Sequence, residues 1–302
     1  MKKRVITSMM LMLCLAAQQV FALRFRVRVP AGESGESSGA VKWIVYAIVI
    51  VVVAVTLYRY FFKARGFLRL FKGGFRMDEK TSLTEDQQRK ILLGAIYAMF
   101  DKGYLNSVKT GLEKEEREDR LKEDWNIDDH DTAVDALNDL KIACTKDYSS
   151  HIAEAFKLKG QKAIEEYLNE TFVNPNDAKA CAEQIGRAFK YIGNLVKEGI
   201  VKDEAEFSRI GGIAFDTTQL ISVARWCAES KYISEKELWE YVDFADEQAH
   251  KSFTSWEDYG KSYLIGYCLW GADGYELKYR APTVKKLMNE PDSPWQHFSF
   301  GK

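Results

Sequence analysis

Residues 214–271, AFDTTQLISVARWCAESKYISEKELWEYVDFADEQAHKSFTSWEDYGKSYLIGYCLWG, read as three successive helices and decide the fold. A helix turns about 100° per residue. A helix from Ile213 to Ala228 therefore puts Ile213, Leu220, Val223, Ala224 and Cys227 on one face. Asp216 falls near the middle of that face, and Arg225 lies opposite, toward solvent. A carboxylate on a core-facing stripe has to be paired, hydrogen-bonded or protonated, because burying a lone charge is costly. The second helix opens with Ser234 and Glu237 at capping-box spacing, and Ile233 and Leu238 are placed as a hydrophobic staple. The third opens at Thr254 or Ser255, and Trp256, Tyr259, Tyr263, Tyr267 and Trp270 line one side of it. Gly260 and Gly266 permit close approach of a neighbour, and Gly271 is the stop.

Upstream, the same helical spacing recurs. Thr84 and Glu85 open a helix carrying Ile91, Leu92, Ala95, Ile96, Met99 and Phe100. Residues 113–124 are dominated by charge of both signs, a solvated helical face. Asp129 heads a helix with Ala133, Ala136, Leu137 and Leu140 on its buried stripe. After Asn174-Pro175, a long helix places Cys181, Ile185, Ala188, Phe189, Ile192, Leu195 and Val196 on one face. Downstream, Pro282 suits the first turn of a helix ending at Met288, and residues 291–300 form an extended aromatic tail that packs back on the domain. No stretch alternates with period two over a strand's length. Residues 78–302 are therefore expected to be an all-α, multi-helix globular bundle.

The N-terminus has another character. Residues 1–22 join a Lys2-Lys3-Arg4 start to an apolar run and a Val20-Phe21-Ala22 cleavage-like end, which fits a signal peptide or a first membrane helix. Residues 23–40 form a short non-cytoplasmic spacer. Residues 41–62 are apolar enough for a transmembrane helix, with Trp43, Tyr46, Tyr58 and Tyr60 near its ends. Basic residues crowd positions 59–76, and residues 63–77 form a juxtamembrane segment suited to an anionic bilayer surface. The positive-inside rule then places the large C-terminal domain in the cytoplasm, against the inner membrane.

The formal net charge of -1 gives no basic field for nucleic acid. The five cysteines form no CxxC pair and read as apolar filling in a reducing compartment. Phosphate-cradling glycine loops, nucleophile elbows and HExxH are absent, and no cofactor is implied. Asp128, Asp129 and Asp131 with His130 are read as helix capping rather than metal ligation. Glu247 and His250 make one Glu-x-x-His, where a di-iron bundle needs two. Asp216 is the leading candidate site residue, at the floor of a pocket walled by Trp226, Trp256, Tyr259 and Tyr263, with Trp125 and Asp129 as further binding candidates. A buried structural acid remains the alternative reading of Asp216.

An ordered series of short motifs carries a family resemblance. It comprises Trp125-x-Ile127-x-Asp129, Ala214-Phe215-Asp216, Ala224-Arg225-Trp226, Tyr232-Ile233-Ser234 with Glu237, residues 255–259 with Gly266, and Pro291-Asp292-Ser293-Pro294-Trp295. Over roughly Leu83 to Phe300 the chain resembles the bacterial domain of unknown function 1266 family. The resemblance brings no established activity. It implies an Arg three residues after the helix acid, a position held here by Gln219, so Asp216 lacks that partner.

Three functions are consistent with these residues. The first is a membrane-anchored cytoplasmic interaction or scaffold module with a protein partner. The second is a hydrolase-like enzyme using Asp216 with a second carboxylate such as Glu257 or Asp129. The third is an immunity-type partner of a bacterial toxin. An Asp216 in an open cleft beside another carboxylate favours the enzyme, and one sealed against an Arg or a helix end favours the interaction module.

Overall fold

The computed structural model describes residues 74–271 and 274–301. The signal-like segment, the spacer, the apolar span at 41–62 and most of the basic juxtamembrane segment lie outside the described residues. Among the described residues every regular element is helical, and no helix is long and apolar enough to cross a membrane.

The chain enters through Arg76, which donates to the carbonyls of Lys102 and Gly111 and stacks over Tyr104. Helix α1 (Glu85–Ile91) begins with a complete Thr84/Gln87 capping box and runs through a 3-10 turn into α2 (Ala95–Asp101). Then come α3 (Lys114–Trp125), α4 (His130–Ala143), α5 (Ser149–Lys157) and α6 (Gln161–Thr171). They are followed by the long α7 (Pro175–Lys197), the short α8 (Glu204–Ile210) and α9 (Ile213–Glu229). Next are α10 (Glu235–Ser252) and α11 (Trp256–Trp270), and the chain closes with α12 (Gly274–Asn289) and α13 (Pro294–His297).

Helix α9 is the axis of the domain. It packs on α10, α11, α4, α3 and the α1–α2 turn. A helix covered on all sides has no solvent face, and the sequence expectation for Arg225 fails for that reason. Arg225 is only 2% exposed, not turned to solvent. It donates to the carbonyls of Tyr104 and Lys109 and so pins the loop after α2. The other polar residues of α9 are likewise used internally. Thr217 and Thr218 meet the Tyr259 hydroxyl, and Gln219 donates to the Tyr97 hydroxyl at 3.1 Å.

A second layer forms around α7, which packs on α5, α6 and α11, while α8 bridges α5 and α11. Phe189 and Val196 of α7, expected on its buried face, are 46% and 40% exposed. Both lie at the edge of the stripe, where Phe189 meets only the rim of α5 through Phe156. Pro282 also departs from expectation. It sits inside α12 rather than in its first turn, and at this exposed position water can meet the Lys278 carbonyl that loses its helical donor. The C-terminal segment is not fully extended: Pro294–His297 is helical, and Trp295 and Phe300 pack into the core as expected of the tail.

Candidate functional site

Helix α9 starts where two glycines allow it to. Gly211 adopts φ +64, and a β-carbon there would overlap the Ser149 hydroxyl. A β-carbon on Gly212 would stand 2.8 Å from the Gly266 α-carbon, so the first turn of α9 lies directly against α11. Asp216 follows in that first turn. The seam between α9, α11 and the α5–α7 layer leaves a cleft of about 120 Å³. Asp216 shares it with Lys146, Asp147 and Ser149 from the start of α5, Gln184 and Arg187 from α7, and Phe215 and Trp270.

The electrostatics of this cleft are uneven. Asp147 accepts from the Ser149 backbone N–H at 2.9 Å and from its hydroxyl. Lys146 reaches Asp177 at 3.4 Å. Arg187 donates to the Leu269 carbonyl at 2.8 Å and pairs with Glu183. Among the described residues, Asp216 has no hydrogen-bond or ion-pair partner. The positive end of α9 favours a carboxylate in its first turn, yet burial wins and pushes the Asp216 carboxyl up to about 7. The acid is half-buried and open to the cleft, neither sealed nor bonded.

The sequence-predicted aromatic pocket is not assembled around it. Trp226, Trp256, Tyr259 and Tyr263 are all core residues. Trp226 packs edge-on to Tyr97, with ring centroids 6.2 Å apart. Trp256 stacks on Trp295 at 4.9 Å and donates its indole N–H to the Phe298 carbonyl. The Tyr259 hydroxyl donates to the Leu93 carbonyl, and the Tyr263 hydroxyl accepts from Arg280. These side chains had apolar bulk to bury, and for Trp256, Tyr259 and Tyr263 the core also supplies a partner for the polar tip. Trp125 ends α3 half-buried, and Asp129 is the exposed N-cap of α4, accepting from the Thr132 N–H at 2.9 Å. Glu257 is exposed on α11 and pairs with Lys261 at 2.8 Å. Neither acid lines the Asp216 cleft; the second carboxylate there is Asp147. Among the described residues no cluster of His, Cys, Asp and Glu could hold a metal ion.

Sequence reasoning therefore found Asp216 but missed its neighbours. Lys146, Asp147, Gln184 and Arg187 look like ordinary surface residues in one dimension, and only the fold brings them together. Trp270 was placed on an apolar stripe, yet it is 64% exposed at the mouth of the cleft. The Gly211-Gly212 pair ahead of an acid was the one local sign of a tight helix start.

Comparison with known proteins adds the following. A family model described as "Protein of unknown function (DUF1266)" matches residues 120–300. The chain is similar to the inner membrane protein YnjI of Escherichia coli (strain K12), at 24% identity over 186 residues. That match covers 61% of this chain and 47% of the relative, so the chain spans about half the length of the curated protein it matches. No solved structure matches.

Proposed function

This chain belongs to the DUF1266 family of proteins of unknown function, and on that premise we propose a membrane-tethered interaction module that captures a protein partner at the Asp216 cleft. One observation carries the reading: Asp216 is an acceptor with no donor, open to a cleft whose other charged groups are all engaged. An unsatisfied acceptor of this kind lowers the stability of the folded state, which is intelligible if a ligand supplies the missing donor. Tethering is supported by the apolar run at 41–62, the basic residues at 59–76 and the inner-membrane relative. The positive-inside rule puts the domain in the cytoplasm. The described chain enters at Arg76, beside the loop that Glu229 holds at the C-terminal end of α9. The cleft lies at the other end of that helix, roughly 25 Å away at 1.5 Å per residue.

A second reading is favoured by a different observation. A carboxyl that titrates near 7 beside another carboxylate suits general acid–base catalysis. A hydrolase would then use Asp216 with Asp147, in place of Glu257 or Asp129. An open cleft with a second carboxylate is the arrangement expected of the enzyme, and it counts for this reading. The interaction reading is preferred because Asp147 is already engaged by the Ser149 N–H and hydroxyl. An immunity-type role against a toxin is a special case of the interaction reading.

Photo-crosslinking in intact cells tests the proposal. Trp270→benzoylphenylalanine is expected to yield a discrete crosslinked species that disappears when Asp216→Asn is added. The same photoreactive residue at the exposed Ile142, outside the cleft, is expected to yield none. Identical products from both positions, or none from Trp270, would contradict it.

A further inference from the structure

The cleft is selective by charge and by size. Lys146 is already paired with Asp177, and Arg187 is held by the Leu269 carbonyl and Glu183. Both cations already have partners of their own, and the Asp216 charge would repel an incoming anion. The negative group that lacks a counterpart is Asp216 itself. A volume of about 120 Å³ compares with about 150 Å³ for a cavity that accommodates benzene. That is room for the head of one side chain, not for a nucleotide or a helix. At the mouth, the exposed Trp270 offers an indole face, the best side-chain surface for a cation.

Building on the interaction reading, we propose that the group entering the cleft is a single basic side chain of the partner, a lysine ammonium or an arginine guanidinium. The cation supplies the donor that Asp216 lacks and is flanked by Trp270. Occupation requires the ionised carboxylate, so affinity falls as pH drops below 7. The other titratable or charged groups around Asp216 are Cys144 at the end of α4, Lys146 and Asp147 before α5, and Arg187 on α7. Burial, with the Asp216 charge behind it, pushes the Cys144 thiol well above its usual range. The response between pH 8 and pH 6 is assigned to Asp216.

The test uses the full chain in nanodiscs and calorimetric titration with N-acetyl-lysine-N-methylamide and N-acetyl-arginine-N-methylamide. The norleucine and citrulline analogues serve as neutral controls of similar shape. Both cations are expected to bind at pH 8 at least about tenfold more tightly than their neutral analogues. Asp216→Asn is expected to remove that preference, and Glu257→Gln to leave it unchanged. If Asp216→Asn does not fold, Trp270→Ala serves instead, with an expected weakening of about threefold. Equal binding of charged and neutral analogues, or unchanged affinity in a folded Asp216→Asn protein, would overturn the assignment. Failure of both cations to bind while the Trp270 crosslink persists would overturn it too, and would leave the interaction reading standing. Cation binding without any crosslinked partner would do the reverse.

Discussion

Gly212 and Gly266 meet backbone to backbone: a β-carbon added to Gly212 would lie 2.8 Å from the Gly266 α-carbon and 3.2 Å from its nitrogen. This contact fixes how deeply α9 seats against α11, and so where Asp216 stands in the cleft. A methyl at Gly266 would run into the Gly212 carbonyl oxygen and the Phe215 side chain, neither of which is a flexible end. Gly266→Ala is therefore expected to cost about 1–3 kcal/mol by overpacking. Gly260→Ala should cost less, because its closest neighbour is the movable sulfur of Met288 and the buried Val284 methyl at 3.0 Å has to give only slightly. Urea denaturation of the two variants checks the contrast. Equal losses would mean that the α9–α11 contact is not the tight point.

A latch holds the C-terminal segment. Arg89 and Asp246 form a buried two-pronged ion pair at 2.7 and 3.0 Å, and the His250 ring bonds both the Asp246 and Phe300 carbonyls. Asp246→Ala leaves Arg89 buried with only the half-exposed Asp86 as a counter-charge. The expected loss is about 3–5 kcal/mol, the range for breaking a buried pair. Hydrogen exchange is expected to rise first in residues 294–301. Unchanged protection there would show that the tail is held by the Trp256 and Trp295 contacts without help from the Arg89–Asp246 pair.

Much of the bundle was legible because its signals are local. The Ser234/Glu237 box, the Ser255 cap, the Asn174-Pro175 start and the all-helical periodicity each depend on a few neighbouring residues, and each is found. What was not legible depends on how many neighbours surround a helix. Arg225 looks like a solvent residue to any reading that grants α9 one wet face, and α9 has none. Trp226, Trp256, Tyr259 and Tyr263 look like a binding wall when their ring and hydrogen-bond partners are unseen, and each partner lies on another element. The cleft joins residues about 70 positions apart, and no one-dimensional pattern links Asp147 to Asp216.

The central claim is that Asp216 is kept for a ligand at the expense of stability. Its carboxyl holds a proton up to about 7 in the folded chain, against an ordinary 3.8. The folded state thus binds protons more tightly than the unfolded one, and stability falls as pH rises through that window. Asp216→Asn abolishes this dependence. At pH 8 the variant is expected to be more stable than the unsubstituted protein by on the order of 1–2 kcal/mol, after discounting for water in the cleft. The difference should shrink to nothing by about pH 4. Paired urea denaturation curves at pH 8 and pH 4 measure it directly. A variant less stable than the parent at pH 8 would make Asp216 a structural acid and contradict the account.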